Sequence, residues 1–213
     1  MNASYTKENI IREACVETLE QCILAEKCGA DRLELCADLE TGGLTPPISL
    51  IQVVLEKVKI PVMVMIRPRA GDFCYSIQEI AQMEAELAAV KATGAAGVVF
   101  GFLKEDHTVD EELTRRFAAL SAPLQATFHK AIDETPDPVA ATKLLAGIPG
   151  VSRILSSGGA ETALEGAEKL RRMVNAAGRN LNIIAAGKVT AENLERVREL
   201  TGAPEFHGKR IVF

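Results

Sequence analysis

An α/β chain closed as a (β/α)8 barrel is the fold this sequence predicts, and three observations predict it. Eight short runs rich in β-branched and apolar residues recur along 213 residues, with starts 22 to 36 residues apart. Each interval fits one strand, one helix and two short loops, the repeat of a parallel sheet. The turn after the first run, Val16-Glu17-Thr18-Leu19, has none of the glycines that a dinucleotide-binding sheet needs there. A doubly wound sheet is therefore set aside, no organic cofactor is implied, and one barrel domain over residues 1–213 is expected.

The strands are expected at residues 10–16, 32–37, 61–67, 97–103, 124–132, 152–158, 181–187 and 204–212. Helical spacing fills the gaps. Ile51, Val54, Leu55 and Val58 fall on one face, as do Ile80, Met83, Leu87 and Val90, and Ala163, Ala167, Leu170 and Val174. Pro46 and Pro47 can open the second helix, Gly94 and Gly178 can close two others, and Thr190 can cap the seventh. The eighth strand runs almost to Phe213, so the eighth helix is expected to be missing or replaced. Strands eight and one would then lack outer cover, and Ile211, Val212 and Phe213 would add exposed apolar surface. That predicts a homo-oligomer, in the first place a two-fold dimer at the open seam.

Composition removes several function classes. Lysine and arginine number 24 against 29 aspartates and glutamates, a net charge of −5, so the electrostatic footprint of a nucleic-acid binder is missing. No apolar run is long enough to span a membrane. The first residues lack the basic flank and apolar stretch of a secretion signal, and five cysteines read as reduced thiols, so a cytoplasmic location is expected.

Polar residues inside the strands carry the functional signal, because barrel strands are covered on both faces and should be apolar throughout. Glu13 and Cys15, Glu34 and Cys36, Arg67 and Arg69, Thr127 and His129, and Glu205 and His207 each stand two residues apart near a strand end. Period 2 turns both members of a strand pair to one face, and barrel sites lie at the C-terminal ends of strands. The predicted result is one cavity lined by Glu13, Glu34, Arg67, Arg69, Asp72, His129 and Ser157. A buried ionic layer that merely closes the barrel would use some of the same residues.

The loops add detail. Arg67-Pro68-Arg69 followed by Gly71 and Asp72 forms a stiff basic hook suited to a carboxylate or phosphate, or else a surface salt-bridge loop. Ser156-Ser157-Gly158-Gly159 and Ala186-Gly187-Lys188 follow late strands, where barrels place anion cradles. His129, with Asp133 four residues on, is a candidate to titrate near neutral pH and move a proton, with Glu34 and Asp72 as further acid–base candidates; a hydrogen-bonded structural histidine fits equally. His107 sits in a polar turn and reads as solvated. Cys22 and Cys28 read as packed on the first helix. Cys15 and Cys36 hold equivalent places on neighbouring strands and suit a soft ion such as Cu(I), or simply pack as core thiols.

These segments together resemble the CutC family, named for copper homeostasis. The resemblance is carried by Glu13-Ala14-Cys15-Val16, by the run Gly29 to Cys36, by Gly42-Gly43-Leu44-Thr45-Pro46 and most specifically by the run Met65 to Tyr75. Gly97 to Gly101, Thr127 to Ala131, Ser156 to Gly159 and Glu205-Phe206-His207 complete it. It implies a TIM-type (β/α)8 barrel with a role in copper handling. Ala70 departs from the pattern, standing where the family tends to have a second glycine. Two functions follow as expectations. One is Cu(I) binding through Cys15 and Cys36. The other is an enzyme or sensor for a small anionic metabolite, with Arg67 and Arg69 as clamps and copper absent from the chemistry.

Overall fold

Eight parallel strands close on themselves in sequence order, β1 through β8, with β8 hydrogen-bonded back to β1. The computed structural model describes residues 10–179 and 181–213. The strands are β1 (Ile11–Val16), β2 (Arg32–Leu35), β3 (Val62–Met65), β4 (Gly97–Phe100), β5 (Gln125–Phe128), β6 (Val151–Ser156), β7 (Asn182–Ala185) and β8 (Glu205–Gly208). Every predicted strand exists, and most are shorter than their apolar runs, since the chain turns out of the ladder to form the mouth loops.

Among the described residues seven helices cover the barrel: α1 (Leu19–Lys27), α2 (Ile48–Lys57), α3 (Ile77–Lys91), α4 (Glu111–Ser121), α5 (Pro138–Ala146), α6 (Ala167–Ala177) and α7 (Leu194–Thr201). Pro47 stands at the N-cap of α2, and Gly178, with φ of 68°, closes α6. Two expected caps fall elsewhere. Asn193, not Thr190, precedes α7; its side-chain oxygen accepts from the Thr190 N–H, and Thr190 only begins the turn. Helix α3 ends at Ala92, and Gly94 serves the turn beyond with φ of 85°. Ala163 lies upstream of α6, and Cys28 is the exposed C-cap residue of α1 rather than packed on it.

The strand period separates two interiors. Outward residues such as Ala14, Leu33, Val64, Phe100, Phe128 and Phe206 pack under the helices as the main apolar core. Inward residues fill the lumen, where Cys15, Cys36, Met63, Met65 and Val99 form one small cluster and Leu155, Ile184 and Ala186 another. No helix follows β8 among the described residues, yet the seam is not bare. Ala14, Val16 and Phe206 are buried, Ile211 is buried with them, Val212 packs against the same core, and only Phe213 is substantially exposed. The open seam that motivated a dimer is thus covered within the chain; residues 1–9, the alternative cover, lie outside the described residues.

Candidate functional site

The lumen is built in layers, and the polar residues divide between them. At its lower end Arg32 donates to both Glu13 and Glu205. Arg153 reaches Glu205 at 3.1 Å and Gln125 at 2.7 Å, and Asn182 adds 2.7 Å to Glu205. Glu13, Arg32 and Glu205 are buried, Arg153 is partly so, Gln125 and Asn182 stand at the exposed lower rim, and every charge has an opposite partner. Burial raises the pKa of Glu13 despite the lowering influence of Arg32. Glu13 therefore belongs to the ionic layer and not to the cavity, which is the correction the structure makes to its expected placement.

One layer higher His207 meets Glu34 at 2.6 Å. Burial opposes both charges, and their attraction and hydrogen bond prevail, so the imidazole pKa lies well above its ordinary value and that of Glu34 below. The other oxygen of Glu34, Oε1, is buried without a hydrogen-bond partner among the described residues. Above this pair stand the two thiols. The sulfurs of Cys15 and Cys36 and a carboxylate oxygen of Glu34 all lie within 4.8 Å of one another. A hydrogen bond from Cys36 and another from His207 lower the Cys15 pKa against burial, while the same contact and burial raise that of Cys36 well above its ordinary value. Chemically this is a pair of thiols, of which Cys15 is the more readily ionised, beside a carboxylate and an imidazole that favours its protonated form.

Over the thiols opens a cavity of about 530 Å³ whose wall includes Cys15, Cys36, Glu34, Arg67, His129 and Gly187. Of the seven residues expected to line it, Glu34, Arg67 and His129 do. Arg69 does not, because its fork is used within its own loop: it pairs with Glu79 and donates at 2.9 Å to both Asp72 and the Cys74 carbonyl. Asp72, held below its usual pKa by Arg69, is an exposed part of that hook and faces a separate surface hollow. The hook is a self-contained salt-bridge loop.

The Ser156–Gly159 turn is an anion cradle that the protein fills itself. Asp133 accepts from the Ser157 and Gly159 amides at 2.9 and 2.8 Å and from both serine hydroxyls. Ser156, Ser157 and Gly159 thus bind an internal carboxylate, Gly158 donates to the Ser156 hydroxyl, and none of the four lines the cavity. Asp133→Ala is expected to destabilise by about 2–3 kcal/mol, since several buried donors lose their acceptor at once; a urea denaturation midpoint unchanged from the parent would contradict it. Turning Asp133 away also leaves His129 without that carboxylate. The Nδ1 of His129 accepts the Ala131 N–H, and burial together with the Arg67 charge pushes its pKa down to about 3. His129 is therefore neutral near pH 7 and not the proton carrier expected.

Several residues that line the cavity were not among the seven expected to, His207 and Lys188 having been noted only for their strand and loop positions. His207, paired in sequence with Glu205, is separated from it by depth, and Lys130, Lys188, Lys209 and Arg210 ring the mouth. The last four directly follow the ends of β5, β7 and β8, so their position after a strand was an available signal.

Fold and site define a parallel (β/α)8-barrel protein with a paired-thiol and Glu–His floor beneath a basic mouth. The CutC family profile matches residues 10–212. The chain is 45% identical over 197 residues to the human "Copper homeostasis protein cutC homolog", covering 92% of this chain and 72% of that one. A crystal structure of a protein named CutC from Streptococcus agalactiae superposes with a TM-score of 0.89 at 32% identity, covering 95% of this chain and 99% of that one. Phosphoribosylanthranilate isomerase from Thermotoga maritima, at 9% identity and a TM-score of 0.60 over 93% and 86% of the two chains, shares the fold alone. This chain belongs to the CutC family.

Proposed function

We propose that this protein handles copper in the cytoplasm by holding Cu(I) between Cys15 and Cys36. The observation that carries the reading is the approach of the two sulfurs and a Glu34 oxygen to within 4.8 Å of one another at the cavity floor. Thiolates are the ligands a soft monovalent ion prefers, and Cys15 is the more readily ionised of the two. Glu34 Oε1, buried and unpartnered among the described residues, can complete the ligand set, while the proton that Cys36 gives up on binding leaves to solvent through the cavity. His207 is the positioning residue, holding Glu34 and Cys15 in place from β8. Copper is here the cargo, and the role of the relatives named for copper homeostasis supports this direction.

A competition titration against a chromophoric Cu(I) chelator tests it. Cys15→Ser and Cys36→Ser should each weaken binding by about 100-fold, and His207→Gln by about tenfold, the range typical of a supporting partner. Equal affinity in the parent and both serine variants would exclude the thiol pair as the site.

A further inference from the structure

Among the described residues, charge pairing inside the barrel leaves one buried cation over. Glu13 and Glu205 are matched by Arg32 and Arg153, and Glu34 is matched by His207. Arg67 is as buried as these, at 5% exposure, and makes no ion pair among the described residues. Its terminal nitrogens donate to carbonyl oxygens, Gly71 at 2.7 Å and Thr41 and Gly43 at 3.4 Å, its guanidinium carbon lies 4.8 Å from the centre of the Phe73 ring, and its Nε is buried without an acceptor among the described residues. A buried guanidinium without a carboxylate is costly, and a group that supplies the missing charge would bind with that cost recovered.

We propose that the mouth cavity binds a small organic anion, a carboxylate- or phosphate-bearing metabolite, whose charged group is the counter-ion of Arg67. Three further features of the cavity fit such a ligand. His129 lines the same wall, and since its Nδ1 accepts the Ala131 N–H, the ring proton sits on Nε2, a second donor with no partner. Lys209 and Arg210 raise the local concentration of anions at the entrance, where Lys130 and Lys188 are paired with Asp133 and Glu161. Met65, Phe73 and Leu155 offer apolar wall for a short carbon body, and about 530 Å³ is the size of small-molecule sites. The backbone cradle after β6 is closed to the ligand by Asp133, so recognition falls to side chains on the Arg67 wall. This inference stands apart from the copper reading and uses neither thiol.

The test titrates inorganic phosphate, glycerol 3-phosphate and succinate separately into the copper-free full chain, following arginine Nε–H signals by NMR. At least one probe should saturate with a Kd of about 1 mM or tighter and move the Arg67 signal. Which probes do so separates a phosphate from a carboxylate as the recognised group. Arg67→Gln should weaken that probe at least about tenfold, while Arg115→Gln, on the exposed face of α4, should leave it unchanged. No binding by any probe, or binding that leaves the Arg67 signal in place, overturns the proposal. The second readout needs only the parent protein and holds even where Arg67→Gln does not fold.

Discussion

Arg32→Ala is expected to lower the unfolding free energy by about 3–5 kcal/mol. Arg32 is the only group that joins Glu13 on β1 to Glu205 on β8 among the described residues, so its loss strands Glu13 and takes one of several partners from Glu205 at the closure of the barrel. Glu13 would respond by taking up a proton, since burial already raises its pKa. Glu205 keeps Arg153 and Asn182 and would lose less. Removing the stranded charge as well, in Arg32→Met combined with Glu13→Gln, should restore much of the stability. Urea unfolding of both proteins measures this, and a single variant within about 1 kcal/mol of the parent would show that the layer is not where closure energy resides.

The second large effect is a pH dependence with two histidines acting in opposite senses. His129 has its pKa depressed to about 3 in the folded protein. Below the unfolded value near 6.5, the unfolded chain binds a proton that the native one refuses, so stability falls as pH falls through that window. The slope is about 1.4 kcal/mol per pH unit for one proton. His207 is the reverse case, with a raised pKa: its stabilisation is fully present below about 6.5 and is lost as pH rises through its folded value. Glu34, lowered, contributes above the ordinary carboxylate range and loses its contribution as pH falls through its folded pKa. His129→Asn should therefore flatten the acid limb between pH 6.5 and 5, whereas His207→Gln should leave that limb no flatter. Identical slopes for parent and His129→Asn would mean the imidazole is protonated in place.

The barrel was legible because its evidence in sequence is redundant: eight β-branched runs at a regular interval have few alternative arrangements. The polar pairs were legible as lumen residues for the same reason, since period 2 assigns a face. What period 2 does not assign is depth along the barrel axis. Glu13 and Glu34 look equivalent as strings two residues before a cysteine, yet Cys15 pairs in register with Glu34 and Glu13 with Arg32. That stagger sends Glu13 down to the ionic layer and leaves Glu34 under the thiols. Asp133 was not legible as the occupant of the glycine turn, because the short 3-10 turn of residues 130–134 that delivers it across to β6 leaves no periodic trace. Arg69 failed as a clamp for a local reason: Glu79, the capping-box residue of α3, lies within its reach.

The pairing of β1 with β8 also fixes when the site comes into being during synthesis. Arg32–Glu205 and Glu34–His207 each join residues 173 positions apart, so both contacts wait for the final strand. Until β8 emerges, a nascent chain carries Cys15 and Cys36 on adjacent strands with Glu34 unpaired beside them. The two thiols are thus among the first functional groups to be made, and their partner imidazole is among the last. A chain halted before residue 205 carries the two thiols without their charge neighbour, their barrel floor or the Lys209–Arg210 rim, and only the fully translated strand order turns those parts into a single closed vessel.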